Sequence, residues 1–132
     1  MSLVQKDQSK RSQQITVNYF NFLDEHIESV ISGKTEEFLE INQIANALFI
    51  SHNHLADTIQ NETGNHPCYF YDQKIIDKAK ELLCDKHNSI SEIARKLTYD
   101  PSNFSKFFKK ITGKTPGEFR KEKNIKIPRS SP

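Results

Sequence analysis

Two stretches of this 132-residue chain carry side chains whose type and order suit reading the edges of nucleobases. Between Asp100 and Thr112, helical spacing puts Ser102, Asn103, Ser105 and Lys106 on one face, opposite Phe104 and Phe108. Asn can pair with adenine through two hydrogen bonds, and Lys can donate to guanine. Lys109, Lys110 and Lys114 follow where phosphate contacts belong, and Ser89 opens an earlier helix with a hydroxyl suited to the same task. A matching face stands 49 residues upstream: His52, Asn53, His54, Ala56 and Asp57, with Gln60 and Asn61 at the lysine positions. Asp57 can accept from cytosine, but this face is neutral to acidic and gains little from phosphates. The rival chemistry for His52, His54, His66 and Cys68 is zinc. The second stretch has Pro101, Asn103, Thr115 and Gly117 at the equivalent positions, so the spacing follows a repeat and not a coordination sphere. No metal and no cofactor are expected.

The elements that must position these faces are helices. Residues 41–70, INQIANALFISHNHLADTIQNETGNHPCYF, align with residues 90–119, ISEIARKLTYDPSNFSKFFKKITGKTPGEF. The pairs Ile41/Ile90, Ile44/Ile93, Ala45/Ala94, Leu48/Leu97, Thr63/Thr112, Gly64/Gly113, Pro67/Pro116 and Phe70/Phe119 are identical. Leu55/Phe104 and Ile59/Phe108 are apolar in both. That is the pattern of a helix-turn-helix: a short helix with a small Ala at the crossing, a tight turn, and a second helix with apolar residues four apart. Gly64 and Gly113 fall just past the second helix, where a left-handed cap belongs. Ser89 with Glu92 and Thr115 with Glu118 read as capping boxes, and Asp100-Pro101 as an N-cap followed by proline. Glu40 and His66 are poorer caps in the first copy. A Lys-Lys pair on a helix is ordinarily a solvated face; its place inside a capped repeat gives Lys109 and Lys110 a sharper reading.

Two longer helices frame the repeat. The first runs from about Gln14 to Ser32, with Val17, Phe20, Leu23, Ile27, Val30 and Ile31 at helical spacing and Gly33 as its stop. Asp24, Glu25 and Glu28 on it read as a solvated face. The other runs from Tyr69 to about Lys86, with Ile75, Ile76, Ala79, Leu82 and Leu83 in a stripe. Phe70 is expected in the core between packing residues Tyr69 and Tyr71. Phe104, Phe108 and Phe119 are expected in the core and Phe107 partly outside it, with Cys84 partly buried and inert. No stretch alternates long enough for a strand, so the fold is predicted to be all-α, with about seven helices. The predicted order is a disordered lead-in or linker stub at 1–13, a first helix-turn-helix subdomain at 14–66 and a linker helix at 67–87. A second subdomain at 88–124 and a disordered tail at 125–132 complete it.

Charge is polarised along the chain. Residues 1–71 hold four Lys/Arg against nine Asp/Glu, whereas residues 72–132 hold fifteen against eight. The second half is therefore the one suited to a polyanion. Apolar residues are 35% of the whole, a lean core suited to small helical units. Two cysteines are too few for a disulfide framework and fit a reducing compartment. With no apolar run of membrane-span length and no secretory leader pattern, a cytoplasmic protein with no membrane partner is expected. No nucleophile–base set or phosphate-cradling glycine loop argues for an enzyme.

The stretch SISEIARKLTYDPSNFSKFFKKITGKTPGEFRK (89–121), with KAKELL (78–83), resembles the C-terminal DNA-binding domain of the AraC/XylS family of bacterial transcription regulators. The resemblance covers roughly Phe22 to Lys123. It implies two helix-turn-helix (homeodomain-like) three-helix subdomains bridged by a long linker helix. FNFLDEHI (20–27) resembles the segment that follows a sensor domain in longer members. The chain departs from the pattern at Thr98, which replaces a turn glycine, so the turn is not expected to use glycine-only dihedrals. It departs also at Gln73 and Ile75, where arginines are common, at Asp57, and at Gln60-Asn61 in place of a basic pair. The function implied is sequence-specific regulation, with recognition helices at about 51–63 and 100–112 in successive major grooves of double-stranded DNA. A second reading makes the acidic first half a docking module for RNA polymerase or an upstream sensor domain, with only the second unit on DNA.

Overall fold

A computed structural model of the chain describes residues 3–126, and the side-chain surroundings of residues 10–123. Among the described residues there are seven helices and no strand: α1 (Leu3–Ile31), α2 (Ile41–Ala47), α3 (His52–Thr63), α4 (Pro67–Leu83), α5 (Ile90–Lys96), α6 (Pro101–Thr112) and α7 (Pro116–Lys126). The all-α expectation holds, and the repeat is visible in the packing. In the first half α1 packs on α3 and α4, while α3 packs on α2 and α4. In the second half α4 takes the place of α1: it packs on α6 and α7, while α6 packs on α5 and α7. Thus α4 closes the first unit and opens the second. The buried apolar residues form one continuous core from Ile15 to Phe108.

Each unit is built as the repeat demands. Ile44 and Ala45 of α2, like Ile93 and Ala94 of α5, are buried where the second helix crosses. The crossing helices bury Leu55 and Ile59 in α3, and Phe104 and Phe108 in α6. Burying each of these side chains contributes about 1.5–3 kcal/mol. Helices α3 and α6 end alike, on Gly64 with φ 88° and Gly113 with φ 85°. Each glycine N–H donates to the carbonyl four residues back, Gln60 and Lys109, at 2.8 Å.

Several expectations give way. The chain is helical from Leu3, where a disordered lead-in was expected to reach residue 13. Its Gln, Lys, Arg and Ser residues are compatible with a helix, and extending one already nucleated costs little. The buried stripe of α1 is Ile15, Tyr19, Leu23, Ile27 and Val30, while Val17 is half exposed and Phe20 only partly buried. Val17 stands two residues off that stripe, about 200° round the helix. Helix α4 ends at Leu83, short of Lys86, and Arg120 takes up the Leu83, Asp85 and Asn88 carbonyls there. Cys84, just past that end, is exposed and not partly buried. On α4 the buried aromatic is Tyr71; Phe70 and Phe119 are half-buried, and Tyr69 lies outside the core. Helix α7 continues to Lys126, where a disordered tail was expected from residue 125; residues 127–132 lie outside the described residues.

Both turns also hold a surprise. Thr98 has φ 61° and its counterpart Phe49 has φ 64°, both left-handed. The turn thus uses the left-handed α region open to L-residues and not a glycine-only conformation, as the threonine led one to expect. Packing of α5 against α6 fixes the turn, and Thr98 accepts the conformation a glycine would take without cost.

Candidate nucleic-acid interface

What places the two outward faces is the capping at their first turns. Helix α6 starts where the Asp100 carboxylate accepts from the Ser102 N–H at 3.1 Å and from its hydroxyl at 2.7 Å. Those bonds, the side-chain one foremost, hold the Asp100 carboxyl below the usual carboxylate range. Helix α3 starts with Ser51 Oγ accepting from the His54 N–H at 3.0 Å. With Phe104 and Phe108 turned inward, Asn103, Lys106, Lys109 and Lys110 stand exposed on the opposite side of α6, and Ser105 is partly so. His52, Asn53, His54, Asp57, Gln60 and Asn61 are exposed on α3, and Ala56 is partly so.

The electrostatics of the two faces differ in kind. Helix α6 carries three lysines and no acid; α3 carries Asp57 and Glu62 and no lysine or arginine. Not every predicted contact is free to act. The Lys114 ammonium is paired with Glu122, and the Gln60 side-chain amide donates to the Gly64 carbonyl at 3.1 Å. The Ser102 hydroxyl is held by Asp100, and Ser89 Oγ accepts from the Glu92 N–H at 3.0 Å as an N-cap. Glu92 answers by accepting from the Ser89 N–H at 2.8 Å, and Thr115 with Glu118 closes the same box ahead of α7.

The first copy is better capped than its sequence suggests. The Glu40 N–H donates to Gln43 Oε1 at 2.7 Å, and the His66 ring Nδ1 accepts from the Cys68 N–H at 3.2 Å. His66 and Cys68 are thereby committed to opening α4. Among the described residues no three His, Cys, Asp or Glu side chains converge on a point that suits a metal ion.

Behind the faces lie positioning residues that the sequence reading did not single out. Arg120 on α7 donates through Nε to the Leu83 carbonyl at 2.9 Å, and through Nη2 to Asn88 at 2.7 Å and Asp85 at 3.2 Å. It thereby ties α7 to the end of α4 and to the loop before α5. Tyr19, fully buried, donates its hydroxyl to the Pro67 carbonyl at 2.8 Å and fixes where α4 starts. His26, buried on α1, accepts from the Leu39 N–H through Nε2 at 3.0 Å, and burial lowers its pKa. The contacts of Arg120, Tyr19 and His26 span 13 to 48 residues, beyond the reach of any local pattern.

Comparison with known proteins agrees with this architecture. A family model described as a helix-turn-helix domain matches residues 44–122. The uncharacterized HTH-type transcriptional regulator YtdP of Bacillus subtilis is 30% identical over 102 residues, 76% of this chain and 13% of that protein. Two other curated relatives are matched over 29% and 21% of their length, so the chain spans less than a third of each. The C-terminal domain of AraT, a response regulator from Geobacillus stearothermophilus, superposes with TM-score 0.70 at 27% identity, covering 82% of this chain and 84% of that one. The DNA-binding domain of AdpA, solved in complex with a target DNA, shares the fold with TM-score 0.64 at 19% identity, covering 82% of this chain and 97% of that one.

Proposed function

The chain belongs to the AraC-type family of helix-turn-helix proteins, and from that premise we propose that it is a transcription regulator that reads duplex DNA through α3 and α6. The observation that carries this reading is the outward face of α6. Among the described residues its lysines Lys106, Lys109 and Lys110 close no ion pair, on a helix whose first turn is fixed by Asp100. Asn103 and Lys106, with Ser102 and Ser105 beside them, face base edges; Lys109 and Lys110 take phosphates. Helix α3 enters the next major groove on the same side of the duplex, ~34 Å away. There His52, Asn53, His54, Ala56 and Asp57 meet bases, and Gln60 and Asn61 lie toward the backbone. If the junction through α4 is stiff, straight DNA must bend to meet the second helix, at a cost of about 1–6 kcal/mol. Ser89 and Lys114 contribute less than their exposure suggests, being engaged by Glu92 and Glu122.

The relatives are at least twice as long, which leaves room for a further domain; an upstream sensor domain and RNA polymerase are the partners proposed for the whole protein, and the cytoplasm its proposed place. Among the described residues no helix is long and apolar enough to cross a membrane.

Fluorescence anisotropy on a mixed-sequence duplex of two to three turns, titrated at several salt concentrations, tests the reading. A few phosphate contacts predict a log–log salt slope of about −3 to −6, and Lys109→Ala or Lys110→Ala each flattens it by about 0.9. Lys114→Ala flattens it less. Asn53→Ala and Asn103→Ala shift the preferred sequence in site selection. Absence of salt-dependent binding at low ionic strength overturns the proposal.

A further inference from the structure

The loop between α1 and α2 is held more firmly than a connection needs. The Leu39 peptide is gripped on both sides: its N–H donates to His26 Nε2 at 3.0 Å, and its carbonyl accepts from the Tyr71 hydroxyl at 2.8 Å. That grip sets the neighbouring Phe38 ring against His26 at 5.8 Å and edge-on to Tyr71 at 6.0 Å. The far side of Phe38 meets Tyr99, at 6.3 Å between ring centroids. Tyr99 belongs to the other unit. Its N–H donates to the Ala94 carbonyl at 2.8 Å, and its ring stacks on Phe107 of α6 at 5.4 Å and 20°. A run of ring contacts thus passes from α1 to α6 through Phe38 and Tyr99, beside the path through α4.

Nothing in the helix-turn-helix plan requires this. The position equivalent to Phe38 in the second copy is His87, whose side chain is 96% exposed. A packed ring at this point is therefore dispensable to a unit's own fold, and the first unit spends it on its neighbour. Asp72 of α4 lies close enough to Lys110 of α6 to feel its charge, which adds an attraction between the same surfaces. A single shared helix leaves two units free to twist about its axis. A contact off that axis resists the twist.

We propose that the Phe38–Tyr99 contact is a specificity-determining strut: it fixes α3 relative to α6 and so sets the spacing between half-sites that the chain accepts. The spacing role rests on the two-groove reading above; the mechanical role does not. The test therefore has two arms. In the DNA-free arm, spin labels at Gln60→Cys and Lys109→Cys, in a chain also carrying Cys68→Ser and Cys84→Ser, report the α3–α6 distance distribution. The strut predicts a narrow distribution that widens or shifts in Phe38→Ala and in Tyr99→Leu. Phe38→Leu, which keeps apolar bulk, stands in should the alanine variant fail to fold. An unchanged distribution in the folded variants overturns the proposal.

In the DNA arm, a selected bipartite site is lengthened or shortened by one base pair, ~3.4 Å of rise. The parent chain should lose roughly tenfold or more in affinity, because the misfit must be taken up by deforming DNA. Phe38→Ala should lose less than about threefold for the same change, and bind an isolated α6 half-site as the parent does. Retention of the parent's spacing preference overturns the specificity role. A parent footprint confined to one half-site overturns the two-groove reading and the spacing role together, and the distance measurement then decides the strut alone.

Discussion

Thr98 offers the sharpest test of how far this fold tolerates local conflict. A β-branched residue at φ 61° has its Cβ crowded against the following carbonyl, a cost of roughly 1–2 kcal/mol for an L-residue. The side chain returns little, being exposed and making one short bond, Oγ1 to the Leu97 carbonyl at 2.6 Å. Thr98→Gly removes the crowding but frees the unfolded chain, which offsets about 0.4–1 kcal/mol. The expected net gain is about 0.5–1 kcal/mol, seen as a rise in Tm of roughly 2–6 °C. Thr98→Asn should fall between the two, because Asn visits the left-handed region more readily. Phe49→Gly repeats the experiment in the first unit, where φ is 64° and the ring is 94% exposed. Urea and thermal unfolding of the four proteins settle the matter. Should Thr98→Gly destabilise while leaving the urea m-value unchanged, the threonine makes a contact this reasoning has missed.

The complementary substitution, Gly113→Ala, meets no atom within 4 Å, so only the backbone resists it; a loss of about 1–2 kcal/mol is expected by urea unfolding. Arg120→Lys cannot reach three carbonyls at once and should cost about 1.5–3 kcal/mol in the same assay, far more than a surface Arg-to-Lys change. Burial lowers the His26 pKa in the folded chain, so the unfolded chain binds the extra proton. Stability is therefore complete above the ordinary histidine value near 6.5 and falls as pH drops through it. The loss levels off once the pH is below the folded value, and His26→Gln should abolish this step in a series of pH-dependent melts. The N-cap bonds hold Glu92, Asp100 and Glu118 below the usual carboxylate range, so their contribution is lost only at more acidic pH.

What the sequence made legible were features written within a few residues of one another. Ser89 with Glu92, Asp100 with Pro101, and Gly64 with Gly113 act over one turn, and each stands in the structure as its type demands. The face of α6 followed from the four-residue spacing of Phe104 and Phe108. The buried face of α1 did not follow, because a helix with apolar residues on several sides takes its phase from its neighbours; Tyr19 was claimed by Pro67 and Val17 was left outside. Thr98 excluded a glycine-only turn without announcing that the turn would still be left-handed. A residue's preference gives the cost of a conformation, and whether that cost is met depends on the packing of α5 and α6. Arg120, His26 and Phe38 work across long separations, and no neighbouring residue announces them.

The contrast between the two outward faces becomes intelligible through α4. An uncharged run from Ile41 to Ala56, followed by Asp57, leaves the first unit without a cation on this face to hold a phosphate backbone. Joined through a common core to a helix bearing Lys106, Lys109 and Lys110, it does not need one. On the proposed two-groove reading, once α6 is seated, α3 faces the adjacent groove at an effective concentration in the millimolar range or above, and weak base contacts suffice to discriminate. Lysines on α3 would raise affinity for every sequence alike and dilute that discrimination. The arrangement works only while the two helices keep their relative placement, since a loose joint lowers the effective concentration and lets α3 sample the wrong register. On the proposed reading the neutrality of α3 and the tie from Phe38 to Tyr99 belong together: the less α3 gains from charge, the more its reading depends on where it is held.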